Sequence, residues 1–254
     1  MDLGLSDRVY VVTGASRGLG RACAEQLASE GSRLVLCARD EEALIATATE
    51  LGGPERALPI AGDISEPGVE TCLVAAAMAR FGRLDGALIS VGGPSPSSVM
   101  DTEDGAWRLA FESLFIGPMR LARGVGKLGS HEGASIVFVL SSSVREPIDG
   151  LALSNGIRPG LAMAAKSLAD ELGPRNIRVN AILPGRIDTG RVQELDALGG
   201  RTEETRRTNE SRIPLGRYGE PLEFARPAVF LLSPAASYVT GTVLSVDGGA
   251  SRSF

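Results

Sequence analysis

Seven short apolar runs alternate with longer, mixed stretches along the chain. The runs fall at 8–13, 33–37, 57–61, 86–91, 135–141, 177–183 and 242–246. Most are apolar at successive positions rather than alternate ones, the pattern of a strand covered on both faces. The intervening 18–30, 41–51, 67–81, 102–127, 154–172 and 221–232 read as helices. Strand and helix in turn predict an α/β fold: a doubly wound, Rossmann-type parallel sheet of about seven strands with helices on both faces. No repeat or low-complexity linker interrupts the pattern, so residues 1–254 read as a single domain. Only 186–215 breaks the rhythm, with the polar run Arg-Thr-Glu-Glu-Thr-Arg-Arg-Thr-Asn-Glu at 201–210. An insertion after a strand's C-terminal end in such a sheet often covers the ligand crevice. A plain solvated helix or loop is an equally open reading of its charged middle.

Composition narrows the function classes. With 254 residues and 43% hydrophobic content, the chain can bury a large core without disulfide or metal staples. Cys23, Cys37 and Cys72 lack metal-ligand spacing and read as small side chains in a reducing compartment. His131 is the only histidine, which argues against a histidine-based triad, and no metal is expected. The net charge of -5 argues against a nucleic-acid partner. No apolar run approaches a membrane span and the first residues lack the marks of a secretion signal, so no membrane partner is expected and the expected location is the cytoplasm.

The first strand runs into Thr13-Gly14-Ala15-Ser16-Arg17-Gly18-Leu19-Gly20, and a helix follows. Strand, glycine turn and helix form the setting a dinucleotide site requires. Glycine lets backbone approach a diphosphate closely, and the helix N-terminus offers free N–H groups and partial positive charge.

Other motifs appear in register. Gly62-Asp63-Ile64-Ser65 follows the third strand, and Ile177-Arg178-Val179-Asn180-Ala181-Ile182-Leu183-Pro184-Gly185 forms the sixth. Arg217-Tyr218-Gly219-Glu220-Pro221, Tyr238-Val239-Thr240-Gly241 and Val246-Asp247-Gly248-Gly249 lie towards the C-terminus. On these residues the chain resembles the classical short-chain dehydrogenase/reductase family over nearly its whole length. The resemblance implies a small-molecule carbonyl or alcohol substrate and a homodimer or homotetramer. It also implies a pyridine nucleotide held by Gly14, Ser16, Arg17, Gly18, Leu19, Gly20, Arg39, Asp63, Ile64, Gly92, Arg158, Pro184, Gly185, Ile187 and Thr189. The second strand ends in Ala38-Arg39-Asp40, where an acid would otherwise hold a ribose 2′-hydroxyl. Ala38 in that place, with Arg39 and Arg17 near, favours NADP(H) over NAD(H), which remains possible. Asp40 facing the ribose would restore the NAD reading.

The catalytic pattern departs from the family's Asn, Ser and Tyr-x-x-x-Lys. Anchoring on Lys166-Ser167-Leu168 puts Ser154 in the tyrosine's place and Arg158 in the lysine's. None of Tyr10, Tyr218 and Tyr238 has lysine four positions later. The serine is matched best by Ser143, with Ser142 as the alternative. The helix asparagine is replaced by Leu114 or Ser113. Losing a general acid costs on the order of 10²–10⁴ in rate. Arginine can orient but stays charged near neutral pH. The missing proton has water or Asp149 as sources, or the substrate needs no strong acid; Asp149 reads more readily as a turn residue. Pro159 implies that the helix starts near Asn155 or kinks.

Three readings follow. The first is an NADP(H)-dependent oxidoreductase in which Ser143 polarises the carbonyl, Arg158 holds the nicotinamide ribose and Ser154 sits beside the reacting oxygen. The second is a nucleotide-binding sensor or partner subunit without catalysis. A lyase or dehalogenase ranks last. Small and apolar positions such as Ala162, Met163, Ala164 and Ala165 suit a helix-to-helix dimer face.

Overall fold

The computed structural model describes residues 2–128, 133–197 and 202–253. Its strands are β1 (Val9–Thr13), β2 (Arg33–Ala38), β3 (Ala57–Ala61), β4 (Gly86–Ser90), β5 (Ala134–Val139), β6 (Ile177–Pro184) and β7 (Val243–Val246). They form one parallel sheet in the order β3-β2-β1-β4-β5-β6-β7. The helices are α1 (Gly18–Ser29), α2 (Glu41–Glu50), α3 (Val69–Phe81), α4 (Asp104–Phe111), α5 (Gly117–Leu128), α6 (Ala152–Leu172), α7 (Gly190–Ala197), α8 (Thr202–Glu210) and α9 (Pro221–Leu232).

Alternate residues of each strand feed opposite cores. Val9 and Val11 of β1 join Leu73, Leu121, Leu161 and Leu168 under α3, α5 and α6. Tyr10 and Val12 join Leu27, Leu44, Phe224 and Val229 under α1, α2 and α9. Each such buried side chain contributes roughly 1.5–3 kcal/mol.

Buried polar groups secure the ends of the sheet remote from the glycine turn. Asp85 accepts from Val9 N at 2.8 Å and binds Arg8 and Arg83. Arg178 donates to the carbonyls of Leu231, Leu232, Ser233 and Val239, capping the C-terminal end of α9.

The chain leaves β1 for β2 on one side, while β4 flanks β1 on the other. That reversal opens a crevice at the C-terminal ends of β1 and β4, where open α/β sheets bind ligands. Thr13 stitches the two strand ends there: its hydroxyl donates to Ser90 O at 2.7 Å and accepts from Ser90 N at 2.9 Å.

Two expected helices differ. The span 102–127 divides into α4, a π-helical turn at Glu112–Ile116, and α5. Gly117 N bonds back to Glu112 O, one residue further than in an α-helix. Pro118 has no N–H to give Leu114, so the regular ladder cannot continue through this point. The second difference is at α6, which begins at Ala152 rather than near Asn155 and carries Pro159 in its interior. Asn155 anchors its first turn by bonding both Ile148 N and Ile148 O.

The 186–215 segment holds α7 and α8, joined by a buried knot. Asp196 accepts from Arg186 at 2.7 Å, Tyr218 Oη at 2.9 Å and Asn209 at 3.2 Å. His131 lies outside the described residues.

Candidate active site

The glycine turn has the geometry its sequence demands. Gly14 and Gly18 have φ of 63° and 59°, which side-chain-bearing residues rarely adopt. A β-carbon on Gly20 would overlap the carbonyl oxygen of Gly14, so α1 enters close against the turn. Ser16 and Leu19 are half-buried, and Arg17 is exposed at the N-cap of α1 with no side-chain cap bond. The first N–H groups of α1 are left for an anion.

On the β2 side, Arg39 Nη1 lies 3.8 Å from Asp63 Oδ2. Asp63 is ordered by Ser65, whose N and Oγ donate to it at 2.9 and 2.7 Å. Ile64 is buried. Asp40 caps α2, its Oδ1 accepting from Ala43 N at 3.1 Å. Gly92 is exposed in the loop after β4. On the β6 side, Pro184 ends the strand and Gly185 N bonds Val246 O at 2.9 Å. Ile187 is buried and bridges Gly219. The Thr189 methyl lies 4.0 Å from where a Gly18 β-carbon would stand, bringing this wall against the glycine turn.

Deeper in, Ser143 and Ser154 are 4% and 3% exposed, and their hydroxyls lie 3.0 Å apart. Ser143, not Ser142, therefore meets Ser154. It sits in a short 3-10 turn after β5, with its N–H on Ser141 Oγ. Arg158 lies one helical turn below Ser154 and is 4% exposed. Its Nη1 donates to Val139 O at 3.2 Å, and among the described residues no carboxylate pairs with it. Burial pulls its pKa down to about 10. No fully sealed side-chain nitrogen or oxygen lacks a partner among the described residues. A buried cation without a paired acid is costly, and suits a site that takes a polar ligand.

Of the other candidates, Leu114 packs with Leu153 and Ile157 of α6, beside Ser154 and Arg158. Leu114 is buried in the π-helical turn, and Ser113 Oγ bonds Ala110 O. Asp149 is exposed in the loop before α6. Tyr10 is buried against Leu232 O, Tyr218 belongs to the Asp196 knot, and Tyr238 is fully exposed. Burial pushes the Cys37 thiol up to about 12, so it is no nucleophile. No cluster of three or more metal-ligating side chains occurs among the described residues. None of their helices is long and apolar enough to cross a membrane.

Sequence reasoning missed two contributors. Arg191 of α7 reaches across to the loop after β4 and donates to Pro94 O at 2.6 Å. Trp107 of α4 packs over Gly156, between Ser154 and Arg158; a β-carbon there would stand 2.6 Å from the ring. Neither carries a motif; glycine at 156 was the one available sign.

The sequence and fold can be set beside known proteins. A family model described as enoyl-(acyl carrier protein) reductase matches residues 14–251. The chain belongs to the short-chain dehydrogenase/reductase family. This makes it a member of a family of oxidoreductases. Among its relatives, an uncharacterized oxidoreductase of Mycobacterium tuberculosis is 35% identical over 248 residues, covering 96% of this chain and 92% of that one. L-rhamnose 1-dehydrogenase (NAD(P)(+)) of Azotobacter vinelandii is 35% identical over 257 residues, covering 96% and 97%. Among solved short-chain dehydrogenase/reductase folds, L-sorbose reductase of Gluconobacter frateurii, complexed with NADPH and L-sorbose, superposes with a TM-score of 0.91 at 32% identity, covering 100% of each chain.

Proposed function

We propose that the protein is an NADP(H)-dependent oxidoreductase that interconverts a carbonyl compound and its alcohol, using Ser154 and Arg158 where tyrosine and lysine are usual. One observation carries this reading: a bonded hydroxyl pair and a buried, acid-free guanidinium share the crevice side of the sheet with an intact glycine turn. The NADPH-bound L-sorbose reductase supports the nucleotide.

The turn residues Gly14 to Gly20 take the diphosphate, and Arg17 and Arg39 flank a 2′-phosphate. Asp63 and Ile64 serve the adenine side; Gly92, Pro184, Gly185, Ile187 and Thr189 serve the nicotinamide side. A bound nicotinamide supplies the hydride chemistry. Arg158 donates to sugar hydroxyls and, still charged at neutral pH, orients without relaying a proton. The two serines hold two hydroxyl protons, one of them in the bond between the serines. The other is available to the substrate oxygen, with water restoring it. Residues 1–254 act as one domain, with 186–215 on the substrate side. Leu109, Phe111 and Met163, exposed on α4 and α6, supply an apolar face for a homodimer or homotetramer.

The test is stopped-flow oxidation of NADPH against ketones, diketones and quinones. Turnover with at least one is expected. Tight NADPH binding without oxidation by any would overturn the reading. One observation favours a second reading, a nucleotide-binding protein without catalysis: no tyrosine stands beside Ser143. On that reading, wild type is inert and the Ser154→Tyr, Arg158→Lys double variant gains activity.

A further inference from the structure

The loop at 62–65 leaves the C-terminal end of β3 and is held from two sides. Gly62 N bonds Ala38 O at 3.0 Å, which fixes its start to the end of β2. Within it, Ser65 aims the Asp63 carboxylate: Ser65 N and Oγ both donate to Oδ1, at 2.9 and 2.7 Å. The other oxygen, Oδ2, lies 3.8 Å from Arg39 Nη1 and accepts no hydrogen bond among the described residues. The direction in which Oδ2 points therefore follows the position of Ser65.

Ser65 is in turn held from α5. Arg120 Nη1 donates to Ser65 O at 2.9 Å, across 55 positions of sequence. Its Nη2 lies 3.2 Å from Glu112 Oε2 on the π-helical turn, and the side chain is 20% exposed. A β-carbon on Gly117 would overlap Ile64 O, so the first turn of α5 sits directly on the loop. The π-helical turn sets these directions. One extra residue in a helix rotates the faces that follow it by about 100° relative to those before it. Leu114 packs on Leu153 and Ile157 of α6, while Gly117 and Arg120 face the 62–65 loop.

We propose that Arg120 is a positioning residue for the adenine end of the nucleotide. It holds Ser65 by its carbonyl, and Ser65 aims the free oxygen of Asp63 at the base. Asp63 touches the base; Arg120 acts through Ser65. This inference rests on the reading above that Asp63 serves the adenine side. A carboxylate only accepts hydrogen bonds, so it selects a base edge that offers a donor, as the 6-amino group of adenine does. Hypoxanthine carries a carbonyl oxygen at that position, which a carboxylate repels. Arg120 therefore governs discrimination between these bases, while the diphosphate and nicotinamide contacts do not depend on it.

The test is calorimetric titration of the protein with NADPH and with its hypoxanthine analogue, which differs in the base alone. No substrate is present, so the readout does not require turnover. Wild type is expected to bind NADPH about 10- to 100-fold tighter than the analogue, the range for a hydrogen bond to a charged group. Asp63→Ala brings that ratio close to one. Arg120→Met brings it most of the way there, and Arg120→Lys, which keeps a donor, restores part of it. Arg120→Gln, too short to reach Ser65 O, carries the same expectation as Arg120→Met if the latter does not fold. A ratio that collapses in Asp63→Ala but is unchanged in Arg120→Met overturns the proposal and leaves the adenine reading standing. Equal weakening of both nucleotides in Arg120→Met is one form of that result, and makes Arg120 a brace for the fold only. A ratio near one already in wild type overturns the adenine reading of Asp63 and the proposal with it.

Discussion

Ser154 Oγ lies 3.0 Å from Ser143 Oγ, and both side chains are buried. The two alkyl hydroxyls satisfy each other first. On the proposed reading they act as one unit with a single proton to offer. Ser143→Ala and Ser154→Ala are therefore expected to lower kcat for carbonyl reduction by similar amounts, about 10²-fold, the scale for losing one oxyanion donor. The double variant should cost little more than either alone, since coupled residues are not additive. Steady-state kinetics of the three variants checks this; fully multiplicative losses would show that the serines act separately.

Arg158 carries an energetic cost that can be measured. Its folded-state pKa, about 10, is below the reference 12.5, so the native state disfavours the charge. For a cation with a lowered pKa the cost is fully present below about pH 10 and fades as pH rises through that value. The shift corresponds to something on the order of 3 kcal/mol. Arg158→Met should thus raise the Tm of the nucleotide-free protein by roughly 5 °C at neutral pH. That gain should shrink above about pH 10, while NADPH affinity falls. Thermal melts across pH, with a nucleotide titration beside them, provide the check.

The same assignment predicts a flat pH–rate profile. With no tyrosine beside Ser143, no titrating phenol governs proton delivery. The kcat for reduction should show no inflection between about pH 6 and about pH 9, well below the shifted arginine. A clear inflection in that window, with the nucleotide saturating, would point to another acid.

Cofactor choice turns on Arg39, which stands 3.8 Å from Asp63 beside the end of β2. Arg39→Ala is expected to weaken NADPH binding about 10- to 100-fold and to leave NADH binding nearly unchanged. Fluorescence titration with each nucleotide distinguishes loss of a phosphate contact from general loss of the site.

Gly156 and Trp107 illustrate how packing holds the catalytic turn. Gly156→Ala would drive a methyl group into the indole, 2.6 and 2.7 Å from two ring carbons. Overpacking of this kind costs about 1–3 kcal/mol. Trp107→Ala should relieve it, so a double-mutant cycle by chemical denaturation should show favourable coupling.

Much of this molecule was legible in the sequence, for local reasons. The apolar runs marked the strands because a sheet covered on both faces needs nonpolar residues at successive positions. The glycine turn was legible because φ near 60° at Gly14 and Gly18 and the close entry of Gly20 favour glycine. What escaped depends on contacts distant in sequence. The π-helical turn at Glu112–Ile116 shifts the ladder by one residue, which an averaged helical period does not reveal; Pro118 was its one sign. Whether Ser142 or Ser143 faced Ser154 rested on a short 3-10 turn, and the cap bond from Ala43 N to Asp40 depends on where α2 begins. Arg191 and Pro94 are 97 positions apart, and nothing local joins them.

On the proposed reading, Arg158 serves the nicotinamide sugar while the glycine turn holds the diphosphate. A crystal structure of the protein with NADPH tests it most directly. The diphosphate is expected on the N–H groups of Gly14 to Gly20, and a ribose hydroxyl within hydrogen-bond distance of an Arg158 nitrogen. A nucleotide bound with its ribose away from Arg158, or a crevice left empty at saturating NADPH, would contradict it.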